Sequence, residues 1–98
     1  MFNRYEWNLV EGNGSPEKLT LLSLSTCGYC HSARQYLEDR ELSFRYLELD
    51  MIPPEDKEEL KKEFQTAFGR RVSFPTLVIN EDRFLTGFIK IHWDEEIE

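Results

Sequence analysis

The chain has 98 residues, 40% of them hydrophobic and 32% charged, which is the balance of one globular domain and not of a disordered chain. Its net charge of −7 argues against a nucleic-acid partner, because a phosphate backbone repels an acidic surface. No apolar run approaches the roughly 20 residues of a membrane helix, so no membrane partner is expected either. The N-terminal stretch shows no basic segment feeding an apolar one, so a cytoplasmic setting with reduced thiols is expected. We expect a single domain over residues 1–98, acting as a monomer, with 1–16 as an N-terminal extension.

Tyr5, Trp7 and Leu9 recur at period two, which predicts a strand or an extended arm. The turn cluster Gly12-Asn13-Gly14-Ser15-Pro16 ends it. Leu19–Leu24 is short and mostly apolar, the pattern of a buried strand. From Cys30 to Arg40 there is no glycine or proline, and Ala33, Tyr36 and Leu37 share one face of a helix. Ser43–Leu49 alternates as a second strand, which makes a strand–helix–strand unit with parallel strands. Pro53-Pro54 opens a second helix that runs to about Phe68, with Gly69 as its C-terminal stop. Thr76–Ile79 and Arg83–Thr86 form a hairpin about Asn80-Glu81-Asp82. Ile89, Trp93 and Ile97 lie at four-residue spacing and predict a short final helix. Asp94, Glu95, Glu96 and Glu98 carry four of the seven excess negative charges; acids at a helix C-terminus oppose its dipole, so a solvated, fraying end is expected.

The chain's only two cysteines are Cys27 and Cys30. A bridge between them closes almost no loop, so it adds little as a structural staple. Placed between a buried strand and a helix, the pair has a chemical use. Cys27 falls at the helix N-cap, where free N–H groups of Tyr29 or Cys30 and the positive end of the dipole favour a thiolate and lower its pKa. Cys30 lies one turn further in and is expected to be less exposed and less acidic. Cys27 would then attack a disulfide and Cys30 would resolve the mixed disulfide. Gly28 suits the tight turn, and Tyr29 is expected to be an exposed aromatic beside the sulfur.

Thr26-Cys27-Gly28-Tyr29-Cys30-His31-Ser32-Ala33 resembles the active-site segment of dithiol glutaredoxins. Ser73-Phe74-Pro75, followed by Thr76-Leu77-Val78-Ile79-Asn80, resembles the family's proline loop, third strand and turn. The resemblance runs from about Leu19 to Trp93. It implies a thioredoxin fold of class α/β, a four-stranded mixed sheet flanked by three helices; Phe2–Leu9 lies outside the resemblance and could add a further strand. It implies a cis bond before Pro75, a backbone of Phe74 that pairs with an extended substrate, and substrate contacts at Thr26, Gly28, Tyr29, Ser73, Phe74, Pro75, Gly87 and Phe88. It implies a thiol–disulfide oxidoreductase that reduces disulfide-containing proteins or mixed disulfides. Electrons would come from a reductase or from glutathione, and no cofactor beyond glutathione and no metal is required.

Two departures bear on glutathione. The family's basic residue three positions before the first cysteine is Leu24 here. The family's Gly-Gly pair with a nearby acid is Thr86-Gly87-Phe88-Ile89-Lys90 here, without an acid. Gly87-Phe88 is similar to the Gly-Phe of NrdH-redoxins, which draw electrons from thioredoxin reductase. Arg70 and Arg71 are candidates to replace the lost positive charge. The alternative reading is a carrier of metal or of an iron–sulfur cluster, with Cys27 and Cys30 as ligands; His31, one residue past Cys30, is expected on the helix surface.

Overall fold

A strand that is apolar on both sides must sit inside a sheet, and β2 (Leu19–Ser23) is such a strand. In the computed structural model, which describes residues 2–15 and 17–97, all five of its residues are buried. Met1, Pro16 and Glu98, which belong to the expected extension, turn cluster and acidic tail, lie outside the described residues. The other elements are β1 (Asn8–Val10), α1 (Gly28–Asp39), β3 (Phe44–Glu48), a 3-10 turn (Leu49–Met51), α2 (Pro54–Phe68), β4 (Thr76–Ile79), β5 (Arg83–Thr86) and α3 (Lys90–Glu96). The sheet order is β1-β3-β2-β4-β5. β2 and β3 are parallel, with Leu21 opposite Tyr46. β2 and β4 are antiparallel, with Leu21 opposite Leu77.

Alternation along the strands divides the core between the two faces. Leu19, Leu21, Phe44, Leu77 and Ile79 pack with Ala33, Tyr36 and Leu37 of α1 and with Trp93 and Ile97 at the C-terminal end. Leu22, Leu47 and Val78 pack with Leu60 and Phe64 of α2. Covered on both sides, β2 therefore reads as an apolar run. Helix α2 opens on Pro54 with Glu55 and Asp56 in its first turn, where acids favour the dipole. It closes on Gly69 at φ 71°, whose N–H donates to the Gln65 carbonyl, a left-handed cap that glycine adopts without steric cost.

The N-terminal segment does add a strand, so the sheet has five strands, but the strand is only Asn8–Val10, paired antiparallel with β3. The period-two pattern from Tyr5 does not form a ladder. The Phe2 N–H donates to Glu63 Oε2 at 2.9 Å and the Tyr5 hydroxyl to Glu63 Oε1 at 2.8 Å. Trp7 Nε1 donates to the Phe2 carbonyl at 2.7 Å. These bonds fold the arm onto α2, bury Phe2 and Tyr5, and leave Leu9 75% exposed. The expected short final helix forms over Lys90–Glu96. Ile89 lies outside the core, whereas Trp93 and Ile97 are buried. Of the acids at that end, Asp94 accepts from the Tyr36 hydroxyl at 2.5 Å, Arg40 at 3.2 Å and Lys90 at 2.9 Å, whereas Glu95 and Glu96 are exposed.

Candidate active site

The sheet register brings three separate segments to one end of the molecule. Leu22, near the end of β2, pairs with Thr76 at the start of β4. Thr76 pairs in turn with Thr86 at the end of β5. The loop leading to Cys27, the Ser73–Pro75 loop and Gly87 therefore adjoin. The Phe74–Pro75 bond is cis, as the sequence resemblance implies. The Gly87 N–H donates to the Pro75 carbonyl at 2.8 Å, which ties the second and third segments together. Gly87 does so at φ 71°, a conformation that favours glycine.

Cys27 is the N-cap residue of α1. Its backbone is extended (φ −96°, ψ 114°) and its Sγ accepts from the Cys30 N–H at 3.2 Å. Of the two donors expected from the sequence, Cys30 is the one that serves. The Cys27 side chain is half-buried, whereas Cys30 is buried at 2% exposure. Burial pushes the Cys30 thiol up to about 12, helped by its hydrogen bond to Cys27 and by the charges of Cys27 and Glu48. The loop before Cys27 is pinned to the 3-10 turn: the Ser25 N–H donates to Asp50 Oδ1 at 2.9 Å, and the Ser25 hydroxyl donates to Asp50 Oδ2. These bonds hold the Asp50 carboxyl below the usual carboxylate range. His31 is exposed on the helix surface, as expected, and its Nε2 lies 2.8 Å from the Ser25 carbonyl oxygen.

The remaining expected contacts divide. Thr26, Gly28 and Tyr29 are exposed, Tyr29 by 71%. Among the described residues no loop hydrogen bond takes up the N–H or C=O of Phe74, so both remain open to an extended chain. Its ring packs toward the α2 side of the core. Ser73 is exposed; its hydroxyl bonds with that of Thr86, and its carbonyl accepts from Thr76 Oγ1 at 2.5 Å. Phe88 packs edge-on against Tyr36 and Trp93, with centroids 5.5 and 5.0 Å away. Ser25, Asp50, Thr76 and Thr86 brace the site, yet no spacing in the sequence singles them out. Among the described residues no three His, Cys, Asp or Glu side chains converge as a metal site, and no helix is long and apolar enough to cross a membrane.

The sequence pattern of the Glutaredoxin family matches residues 19–84. The chain belongs to the glutaredoxin family. Among solved structures it is similar to the glutaredoxin of Methanosarcina mazei Go1, with 29% identity over 94% of this chain and 87% of that one, at a TM-score of 0.77. It is similar to the methanoredoxin of Methanosarcina acetivorans, with 27% identity over 95% of both chains and a TM-score of 0.80. A buckwheat glutaredoxin–glutathione complex shares the fold at 20% identity, covering 82% of this chain and 72% of that one, with a TM-score of 0.63. No curated protein sequence matches significantly.

In this member of the family, Leu24 packs toward the α2-side core. Lys90, in the segment that lacks the family's acid, pairs with Asp94. Arg70 lies over the Phe84 ring at 5.6 Å. Arg71 lines a cleft of about 580 Å³ with Lys61, Lys62, Gln65, Glu58 and Val72.

Proposed function

We propose that the chain is a thiol–disulfide oxidoreductase in which Cys27 attacks and Cys30 resolves. The observation that carries this reading is the contrast between the two sulfurs. Cys27 is accessible and its sulfur accepts an N–H at a helix N-terminus, which places it, not Cys30, to attack a substrate disulfide. Cys30 is buried and its thiol is pushed up to about 12, so at neutral pH it stays protonated until a mixed disulfide forms beside it. In the first step the Cys27 thiolate bonds to one sulfur of the substrate, and the other substrate sulfur leaves as a thiolate. In the second step Cys30 attacks Cys27, the remaining substrate thiolate leaves, and the Cys27–Cys30 disulfide is formed. Two electrons pass from the dithiol to the substrate.

Protein disulfides fit this rim. The open N–H and C=O of Phe74 offer strand-like pairing to any extended chain. Exposed apolar side chains at this end, Tyr29, Met51 and Ile89, suit a protein surface. Two of the glutathione contacts usual in the family are replaced by Leu24 and by a segment without an acid. We therefore propose reduction by an enzyme of the thioredoxin-reductase class, as the Gly87-Phe88 pair suggests, in preference to glutathione. Glutathione retains one favourable feature, the basic cleft at Arg71, Lys61 and Lys62. The test offers the oxidised protein to thioredoxin reductase with NADPH and, separately, to glutathione with its reductase. Faster reduction by thioredoxin reductase is expected; fast reduction by glutathione alone overturns this choice of reductant. Stoichiometric iron in anaerobically purified protein would favour the cluster-carrier reading instead.

A further inference from the structure

Behind Cys30 lies a small crevice lined by Ser23, Leu24, Cys30, His31, Arg34 and Glu48, with a cavity volume of about 10 Å³. That is the room one water needs. Glu48 is the last residue of β3 and stands opposite Ser23 in the parallel register. Most polar groups around the crevice are committed elsewhere. The Ser23 hydroxyl donates to the Leu47 carbonyl at 3.0 Å. The His31 ring is held at the Ser25 carbonyl. The Arg34 guanidinium lies over the Tyr46 ring at 4.8 Å and 3.8 Å from Glu38. The Glu48 carboxylate has no hydrogen bond or ion pair among the described residues, and its charge acts on the Cys30 thiol.

We propose that Glu48 is the proton acceptor for Cys30 in the resolving step, taking the thiol proton through one water in this crevice. The proposal rests on the reading that Cys27 attacks and Cys30 resolves. Once Cys27 is tied up in a mixed disulfide, its charge and its hydrogen bond no longer oppose ionisation of Cys30, but burial and Glu48 still do. Burial and the Glu48 charge thus still hold the Cys30 thiol above its ordinary value at this stage, so at pH 7 the step is helped by a nearby base. As the Cys30–Cys27 bond forms, the Cys30 proton passes through the water to the Glu48 carboxylate. The Cys27–substrate bond breaks and the substrate leaves as a thiolate. The proton on Glu48 then passes to that thiolate or to solvent. Cys30 sulfur is oxidised and the substrate sulfur reduced, so no further oxidant is needed. The ionisable groups around Cys30 are Cys27, His31 and Arg34 on α1 and Glu48 on β3, with Asp50 of the 3-10 turn engaged by Ser25.

A purely electrostatic Glu48 and a proton-accepting Glu48 predict opposite signs. Removing its charge makes Cys30 easier to ionise, so Glu48→Gln would speed resolution if charge were its whole effect. If it accepts the proton, Glu48→Gln slows resolution by about 100-fold at pH 7. Stopped-flow reaction of the reduced protein with an aryl disulfide separates the phases: one thiol is released when Cys27 attacks and a second when Cys30 resolves. We expect the first phase unchanged in Glu48→Gln and the second slowed, with its rate rising with pH where the parent's is flat. Glu48→Asp, which keeps the charge and the acid, should recover part of the rate. An unchanged or faster second phase in Glu48→Gln overturns the proposal. A missing first phase in the parent protein overturns the underlying dithiol reading instead.

Discussion

The rim around Cys27 and the N-terminal arm treat their polar groups in opposite ways. In the arm the polar groups are closed inward: the Phe2 N–H and the Tyr5 hydroxyl converge on Glu63, and Trp7 Nε1 reaches the Phe2 carbonyl. At the rim the Phe74 N–H and C=O take no loop hydrogen bond among the described residues, and the Cys27 sulfur is half-exposed. A buried polar group left open costs stability, so satisfied bonds are the rule where only stability is at stake. Open groups on a braced frame are what a transient partner requires. The bracing is visible in Ser25–Asp50 and Ser73–Thr86, which hold the rim's loops while leaving its reactive edge free.

Substitutions separate the two regions. The largest expected effect is on activity: Cys27→Ser should reduce disulfide reduction to the uncatalysed rate in an insulin or mixed-disulfide assay, with a thermal midpoint close to the parent's. Labelling should divide the sulfurs next. With the Cys30 thiol pushed up to about 12, a brief alkylation at pH 7 followed by mass mapping should modify Cys27 at least about 100-fold faster than Cys30.

The same contrast explains what could be read from the sequence. Cys27, Cys30 and Pro75 were legible because their spacing is the chemistry, and β2, α2 and the β4–β5 hairpin because their apolar periods and glycine stops are local. The extra N-terminal strand was legible in the alternation of the arm, but the fold-back of Tyr5 onto α2 was not, because its partner Glu63 lies 58 residues away. The anchoring of Asp94 at the C-terminal end was out of reach for a similar reason. Asp94 opposes the dipole of its own helix, but the Tyr36 hydroxyl and Arg40 come from α1 and the residue that caps it. The internal partners of two expected substrate contacts, Thr86 for Ser73 and Tyr36 and Trp93 for Phe88, were likewise not legible, because the sheet and α1 bring them together from distant positions.

The arm offers the converse test. Phe2 is fully buried, so Phe2→Ala should lower stability by about 3 kcal/mol, read by denaturant unfolding, while Cys27 alkylation keeps its rate. A change in both would join the arm to the rim. The smallest expected effect is at high pH. Burial, with the hydrogen bonds to Glu63 and Asp94, pushes the Tyr5 and Tyr36 phenols up to about 12. Unfolded tyrosine titrates near 10, so above that the unfolded chain loses protons that the folded chain keeps. Stability is therefore full below about pH 10 and is lost as pH rises toward 12. Tyr36→Phe should flatten part of that fall in a series of thermal melts.

The most direct test of the central claim uses Cys30→Ser. Mixed with an excess of a small disulfide and examined as intact protein by mass spectrometry, it should accumulate one adduct per chain, mapped to Cys27 and stable because nothing resolves it. The Cys27→Ser protein treated in parallel should stay unmodified on the same timescale. An adduct forming as fast on Cys30 in the Cys27→Ser protein, or none on Cys27 in Cys30→Ser, would contradict the division of labour between the two sulfurs.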